Sequence, residues 1–114
     1  MFISRVDILG TEYTVEALDR KNDSMLGDEN DGYCDHTTKS IVVVQNDELN
    51  TLKDFDKYQK SVIRHEIIHA FLFESGFGYS CEHPQYGHDE TMIDWWAMQS
   101  PKIFKVFEQL NLLE

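Results

Sequence analysis

The sequence predicts an α+β fold in which antiparallel β-hairpins form a small sheet that packs on a central helix and two C-terminal helices. Near the amino terminus, apolar residues alternate with polar ones, as in strands; over residues 56–73 they recur at helical spacing. The chain has 114 residues, the length of one ordinary domain. We therefore expect residues 1–114 to form a single domain with one modest core.

Two hairpins are predicted in the first half of the chain. Val6 and Ile8 alternate with polar residues before Gly10, and the alternation resumes beyond it through residues 13–17. Residues 33–35 and the β-branched run 41–44 predict the second hairpin, and the continuous run is typical of a strand covered on both faces.

The polar stretch 19–32 between the hairpins is predicted to be an exposed loop. Its acids do not form a calcium loop of the EF-hand type, because position five counted from Asp28 is already Gly32.

Helix signals mark the second half. Asp56 and Gln59 have the spacing of a capping box, and Gly76 is placed to end the helix that follows. Asp89 is suited to cap a second helix, which we expect to end near Gln99. Pro101 then predicts a separate last helix over residues 102–113, because residues before proline avoid the helical region.

Composition excludes several classes of partner. The formal net charge is −11, which argues against nucleic acid and against anionic membrane surfaces, since both are bound through Lys and Arg. We see no apolar run near the ~20 residues of a membrane span and no signal peptide at the start. Two cysteines are too few for a disulfide scaffold. We therefore expect a cytoplasmic protein.

The most informative segment is His65-Glu66-Ile67-Ile68-His69, an H-E-x-x-H motif in a predicted helix. Residues four apart share a helix face, so both imidazoles can reach one zinc ion, while Glu66 can contact a water at that ion. The helix is apolar nearly all round, which predicts burial. The alternative without metal is a pair of core histidines that hydrogen-bond to nearby carbonyls or carboxylates.

A second pair of carboxylates follows in the next predicted helix. Glu90 lies 21 residues beyond His69, and Asp94 is four residues further along the same face. We expect Glu90 to be the third metal ligand and Asp94 to accept a hydrogen bond from a ring N–H of a ligand histidine. The simpler alternative is that both acids occur at the start of the helix only because the helix dipole favours negative charge there. This alternative explains Glu90 well and Asp94 poorly.

This H-E-x-x-H…E-x-x-x-D pattern resembles the gluzincin arrangement of the zincin metallopeptidases, in particular the small ImmA/IrrE-like zincins and the short ones carried by phages and mobile elements. The specific match covers residues 64–97. The resemblance implies one Zn²⁺ per chain, held by His65, His69 and Glu90. It also implies that Glu66 is the general base and that the substrate is a protein or peptide.

Several assignments stay open within that family. The donor that stabilises the transition state is Tyr79, His83, Tyr86 or His88, with Tyr33 a more distant option. Cys81 or a loop histidine could replace Glu90, and Cys34 has a faint likeness to the ligand cysteine of peptide deformylases. A strand such as 41–44 could pair with an extended substrate. The alternative function is an interaction protein of zincin fold in which the metal is purely structural.

Overall fold

Two hairpins build a four-stranded sheet in the computed structural model, which describes residues 1–47, 50–76 and 90–113. The strands are β1 (Phe2–Ile8), β2 (Thr11–Leu18), β3 (Gly32–Asp35) and β4 (Ser40–Val44), with a 3₁₀ turn at Arg20–Asn22. Two α-helices follow in the described residues, α1 (Phe55–Glu74) and α2 (Glu90–Gln109). The predicted α+β class and both hairpins are confirmed.

The sheet is mixed, so the prediction of a purely antiparallel sheet is wrong. Strand order is β1-β2-β4-β3; the two hairpin pairs are antiparallel, and β2 runs parallel to β4. All four residues 41–44 are buried. A strand of this kind is most stable inside a sheet whose two faces are both covered. This preference explains why β4 lies in the interior, beside β2, and why β3 lies at the edge.

The first hairpin closes through a two-residue turn. Leu9 and Gly10 have φ values of 53° and 92°, the two positive angles that a type I′ turn requires. This turn aligns the apolar residues of β1 and β2 on one face of the sheet.

One face of the sheet packs on both helices to form the main core. Its buried residues come from every strand except β3 and from α1, α2 and the tail: Val6, Ile8, Tyr13, Val15, Ala17, Ile41, Val43, Ile63, Ile67, Ala70, Phe71, Ile103, Val106, Phe107 and Leu112. Leu26, Val42, Val44 and Phe55 form a smaller cluster. Because β4 contributes to both clusters, its predicted two-sided burial is confirmed.

The start of α1 differs from the predicted capping box. Asp54, not Asp56, is the N-cap, and its carboxylate accepts a hydrogen bond from the Lys57 N–H at 3.1 Å. Gln59 instead donates from Nε2 to the Val44 carbonyl at 2.9 Å. Gln59, which was expected to complete the capping box, therefore links α1 to the end of β4.

The end of α1 agrees with the predicted glycine stop. The Ser75 N–H donates to the Phe71 carbonyl and the Gly76 N–H to the Phe73 carbonyl. Gly76 has a φ of 82°, a left-handed conformation that glycine adopts without strain.

A single helix, α2, spans the region where two were predicted. It continues through Pro101, although proline removes one helical hydrogen bond at a cost of about 3 kcal/mol. Burial of Ile103, Val106 and Phe107 in the main core offsets that loss. The prediction of a helix break before Pro101 is therefore wrong.

α2 ends in a Schellman motif. Asn111 takes a φ of 54°, and the Leu112 N–H donates to the Phe107 carbonyl at 2.9 Å. The turn directs Leu112 into the core, where it is 2% exposed.

The segment between the hairpins is more ordered than an exposed loop. Arg20 donates to the carbonyls of Gly27 and Asn30 and to the Asp31 carboxylate, and Leu26 is fully buried. In the described part of the chain, neither helix combines the length and apolarity needed to span a membrane.

Candidate metal centre

α1 presents His65 and His69 together on its exposed side. The two residues are one helical turn apart, and their Nε2 atoms are separated by 3.1 Å. The opposite side of α1, with Ile63, Ile67 and Ala70, is buried against the sheet. Both histidines are exposed, so the expectation of a helix buried all round, and with it the core-histidine alternative, is wrong.

Glu66 lies on the inner edge of the same turn. It is 7% exposed, and one of its carboxylate oxygens, with one ring nitrogen of each histidine, forms a group whose atoms all lie within 4.8 Å of one another. Burial raises the pKa of the Glu66 carboxyl, and the charge of nearby His65 opposes that rise. A carboxylate with a raised pKa is a better proton acceptor near neutral pH.

His69 has a pKa below that of a free imidazole. The residue is exposed overall, but partial desolvation of its ring lowers the pKa, and the neighbouring charge of His65 lowers it further. Metal ions bind the neutral ring, which this environment favours.

The separation of the two histidine nitrogens fits a shared ion. Zinc binds histidine nitrogen at about 2.0–2.1 Å. Two such bonds to atoms 3.1 Å apart would meet at an angle of about 98°, which is close to tetrahedral. The residues therefore fit a zinc ion. Without metal, the same distance accommodates a hydrogen bond between the two neutral rings.

The strand beside the motif is β3, not the 41–44 strand. β4 is paired on both sides, with β2 and with β3, so the expectation that residues 41–44 accept a substrate strand is wrong. A Cβ atom built on Gly32 would lie 2.7 Å from Val62 Cγ1. Glycine at this position lets β3 approach α1 closely at Val62, which lies one helical turn before Glu66.

A cavity of about 290 Å³ opens where β3 meets α1. His65, Glu66 and Val62 line one part of it, and Asp31 and Tyr58 line the other. Sequence reasoning missed Asp31 and Tyr58. The only available signal was spacing, because Tyr58 precedes His65 by seven residues, which is two helical turns.

Cys34 is half-buried on β3 and does not belong to the close group of ligand atoms. Burial, reinforced by the charges of Glu66, Asp35 and Glu74, raises the pKa of its thiol to about 12. A bound metal deprotonates a thiol that ligates it, so it is the position of Cys34 outside the close group, and not its pKa, that separates it from the candidate site.

α2 begins at Glu90 and includes Asp94, so both predicted carboxylates lie in the first two turns of this helix. The roles expected of their side chains fall outside what the structure describes. The other predicted participants in the connecting segment also lie outside the described residues: Tyr79, Cys81, His83, Tyr86, His88 and the expected cap Asp89.

Among the described residues, the His65, Glu66 and His69 group is the one set of three or more potential ligands close enough to share an ion. Comparison of the chain with family models, curated proteins and solved structures finds no match. The functional assignment therefore depends on the geometry of this group and on the chemistry of its residues.

Proposed function

We propose that this protein is a zinc-dependent peptidase of minimal zincin type. The observation that carries the proposal is the 3.1 Å separation of the two histidine nitrogens, with the buried Glu66 carboxylate in the same group. His65, His69 and Glu90 would hold one Zn²⁺. When bound, zinc polarises the substrate carbonyl and makes water more acidic.

The residues of the chain have separate tasks in this reaction. Glu66 accepts a proton from the attacking water at its carboxylate and then delivers it to the leaving amine. Its low exposure keeps bulk water from competing for that proton. Asp94 would orient a ligand histidine through a ring N–H.

The free edge of β3 is suited to bind an extended peptide. Within the described residues, β3 pairs with β4 alone, and its other edge adjoins the cavity at His65 and Glu66. A peptide that adds to this edge gains main-chain hydrogen bonds. It would run past the metal ligands, as substrates do on the edge strand of the zincin family.

Exposure of the ligands favours catalysis over a purely structural metal. A structural zinc site is closed by protein ligands, whereas a catalytic site keeps a position open to solvent. His65 and His69 are both exposed, and a structural site would not need a buried carboxylate between them. The interaction protein with a structural metal stays the second candidate.

The test combines metal analysis with digestion of a proteome-derived peptide library. We expect the purified protein to carry one zinc per chain and to cleave library peptides, detected by mass spectrometry. Glu66→Gln should retain zinc and lose at least about 100-fold in rate, the lower limit for general-base catalysis. Glu108→Gln, an exposed change of the same chemistry on α2, is the matched control and should cleave normally.

Two results would contradict the proposal. One is full activity of Glu66→Gln on the same peptides. The other is stoichiometric zinc with no cleavage by the wild type, which would favour the structural role.

A further inference from the structure

A separate cavity lies between the first hairpin, α1 and the second half of α2. Its volume is about 510 Å³, within the range of small-molecule sites. The described residues that line it include none of the candidate metal centre and are Asp7, Leu9, Phe71, Lys102, Lys105, Val106 and Gln109. Gln109 Nε2 donates to the Arg5 carbonyl at 3.2 Å, so a direct hydrogen bond holds α2 to β1 beside the cavity.

The inner wall of this cavity is apolar. Phe71 and Val106 are 1% and 6% exposed, and both belong to the main core. Leu9 adds to this wall from a left-handed conformation with a φ of 53°, which is unfavourable for a residue with a Cβ atom. A turn of this type normally carries Asn, Asp or Gly there. Leucine therefore supplies an apolar surface that the turn itself does not require.

The rim of the cavity carries positive charge. Lys102 and Lys105 are exposed and three positions apart, so they are neighbours on one face of α2. Among the described residues neither forms an ion pair, although Asp7 lines the same cavity. The Asp7 carboxylate instead accepts a hydrogen bond from the Gly10 N–H at 3.3 Å. Two ammonium groups thus border an apolar space in a chain whose net charge is −11.

We propose that this cavity binds a small organic carboxylate with an apolar body, such as a medium-chain fatty acid. The carboxylate would lie at Lys102 and Lys105, and the body would cover Leu9, Phe71 and Val106. The same lysines would repel an ammonium compound, and a purely polar anion would leave the apolar wall in contact with water. The site is independent of the proposed peptidase activity, because the two share no residue.

Ligands with the same chain separate the contributions of head group and body. Octanoate, octanamide and octylammonium would be titrated into isotope-labelled protein at low salt, with Kd measured from NMR amide shifts. We expect octanoate to bind roughly five-fold more tightly than octanamide, as for two partly exposed ion pairs, and octylammonium to bind most weakly. The net charge of −11 alone would produce the reverse order, so the expected order requires nearby cations.

Paired lysine variants locate the head group. Lys102→Gln/Lys105→Gln should abolish the preference for octanoate and leave octanamide binding nearly unchanged. Lys53→Gln/Lys57→Gln changes the net charge equally at exposed positions outside the cavity; it is the matched control and should keep the preference. Each titration would be repeated with EDTA, because zinc at the candidate metal centre could bind a carboxylate. Binding in the cavity should not depend on EDTA.

Leu9→Asn tests the apolar wall. Asparagine is favoured at this position of the turn, so the hairpin should stay folded while the apolar surface is lost. We expect octanoate and octanamide to weaken by the same factor of roughly four, the value of one buried CH₂ group. In the unsubstituted protein, the largest amide shifts should occur in residues 7–10 and 102–109.

Several results would overturn the proposal. Equal binding of octanoate and octanamide, or loss of the octanoate preference in both double variants, would show that the two lysines do not form a site. Octanoate binding that disappears with EDTA would place the ligand at a metal. Absence of octanoate binding would leave Lys102 and Lys105 as ordinary solvated charges.

Discussion

Glu66 and Glu74 show how the position of a carboxylate on one helix decides its chemistry. Both belong to α1, two turns apart. Burial raises the pKa of Glu66, whereas the pKa of Glu74 is lowered by hydrogen bonds, first from Lys39 and then from Tyr13. Glu66 is thereby the more basic of the two carboxylates, and Glu74 is kept ionised by its contacts within the fold.

The contacts of Glu74 predict a pH-dependent contribution to stability. Its carboxylate accepts hydrogen bonds from Thr11 Oγ1 at 3.0 Å, Tyr13 OH at 2.7 Å and Lys39 Nζ at 2.8 Å. These bonds join β2 and the second hairpin to the end of α1, where the helix dipole alone would disfavour an acid. We expect Glu74→Gln to lower the free energy of unfolding by about 1–3 kcal/mol at neutral pH.

The difference should fade in acid. Because folding lowers the pKa of Glu74, its stabilisation is present above the pKa of unfolded glutamate and disappears as pH falls through the lower folded value. Urea unfolding of both proteins at neutral and acidic pH measures this. Glu12→Gln, which removes an exposed pair with Arg5, is the control and should change little. A Glu74→Gln penalty that is constant with pH would contradict the interpretation.

At the scale of elements, the contact between β3 and α1 determines how the site is built. β3 contributes few core residues, yet Gly32 brings its backbone against Val62 on α1. That approach sets the width of the cavity beside His65 and Glu66. Gly32 does not have a positive φ, so its backbone conformation does not require glycine. Glycine is required here because a side chain would collide with Val62.

Gly32→Ala tests this contact. The added methyl would lie 2.7 Å from Val62 Cγ1 and 3.1 Å from the Val42 carbonyl oxygen, too close without movement of β3 or α1. We expect a loss of about 1–3 kcal/mol in the free energy of unfolding, measured by urea titration.

Val62→Ala supplies the internal check. It removes the nearest side-chain atom, so the double variant Gly32→Ala/Val62→Ala should be more stable than the sum of the single effects predicts. Simple additivity would show that the two residues do not interact as described.

At the scale of the whole molecule, a metal would link the site to stability. α1 carries both proposed histidine ligands and also packs its other side on the main core. An ion that binds these histidines only in the folded chain would therefore stabilise the entire domain. Free zinc at about 100 times its Kd adds about 2.7 kcal/mol, which corresponds to roughly 10–20 °C in Tm for a domain of this size.

We expect EDTA-treated protein to gain this increase on addition of zinc, measured by differential scanning calorimetry. His65→Ala and His69→Ala should lose most of the increase. His36→Ala is the matched control, because His36 stacks on Phe73 at 4.3 Å and is not in the ligand group. An equal zinc response in His65→Ala and His36→Ala would show that zinc binds elsewhere.

Local features of the fold could be predicted well from the sequence. The alternation on either side of Gly10 predicted the first hairpin, and the β-branched run 41–44 predicted a strand covered on both faces. Helical spacing with Gly76 predicted the end of α1 within one residue and its start within two. These features depend on neighbours a few positions apart, so their cause lies within the segment itself.

Tertiary contacts decided what local patterns could not. The break predicted at Pro101 is absent because core contacts on both sides outweigh one lost hydrogen bond. The helix is capped by Asp54, which accepts from the Lys57 N–H, while Gln59, expected in the capping box, is bound to β4. The parallel pairing of β2 with β4 depends on which strand gains the most stability from burial in the sheet interior. That gain can be judged only by comparing strands that are distant in sequence.

The same division applies to the candidate site. The sequence by itself determined that His65, Glu66 and His69 occur on adjacent turns of one helix, since that follows from helical periodicity. Only the tertiary structure decided that both histidines face outward, that Glu66 is buried and that β3 is the strand beside them. Exposure depends on which side of α1 the sheet covers, and that choice is made by packing of the whole chain.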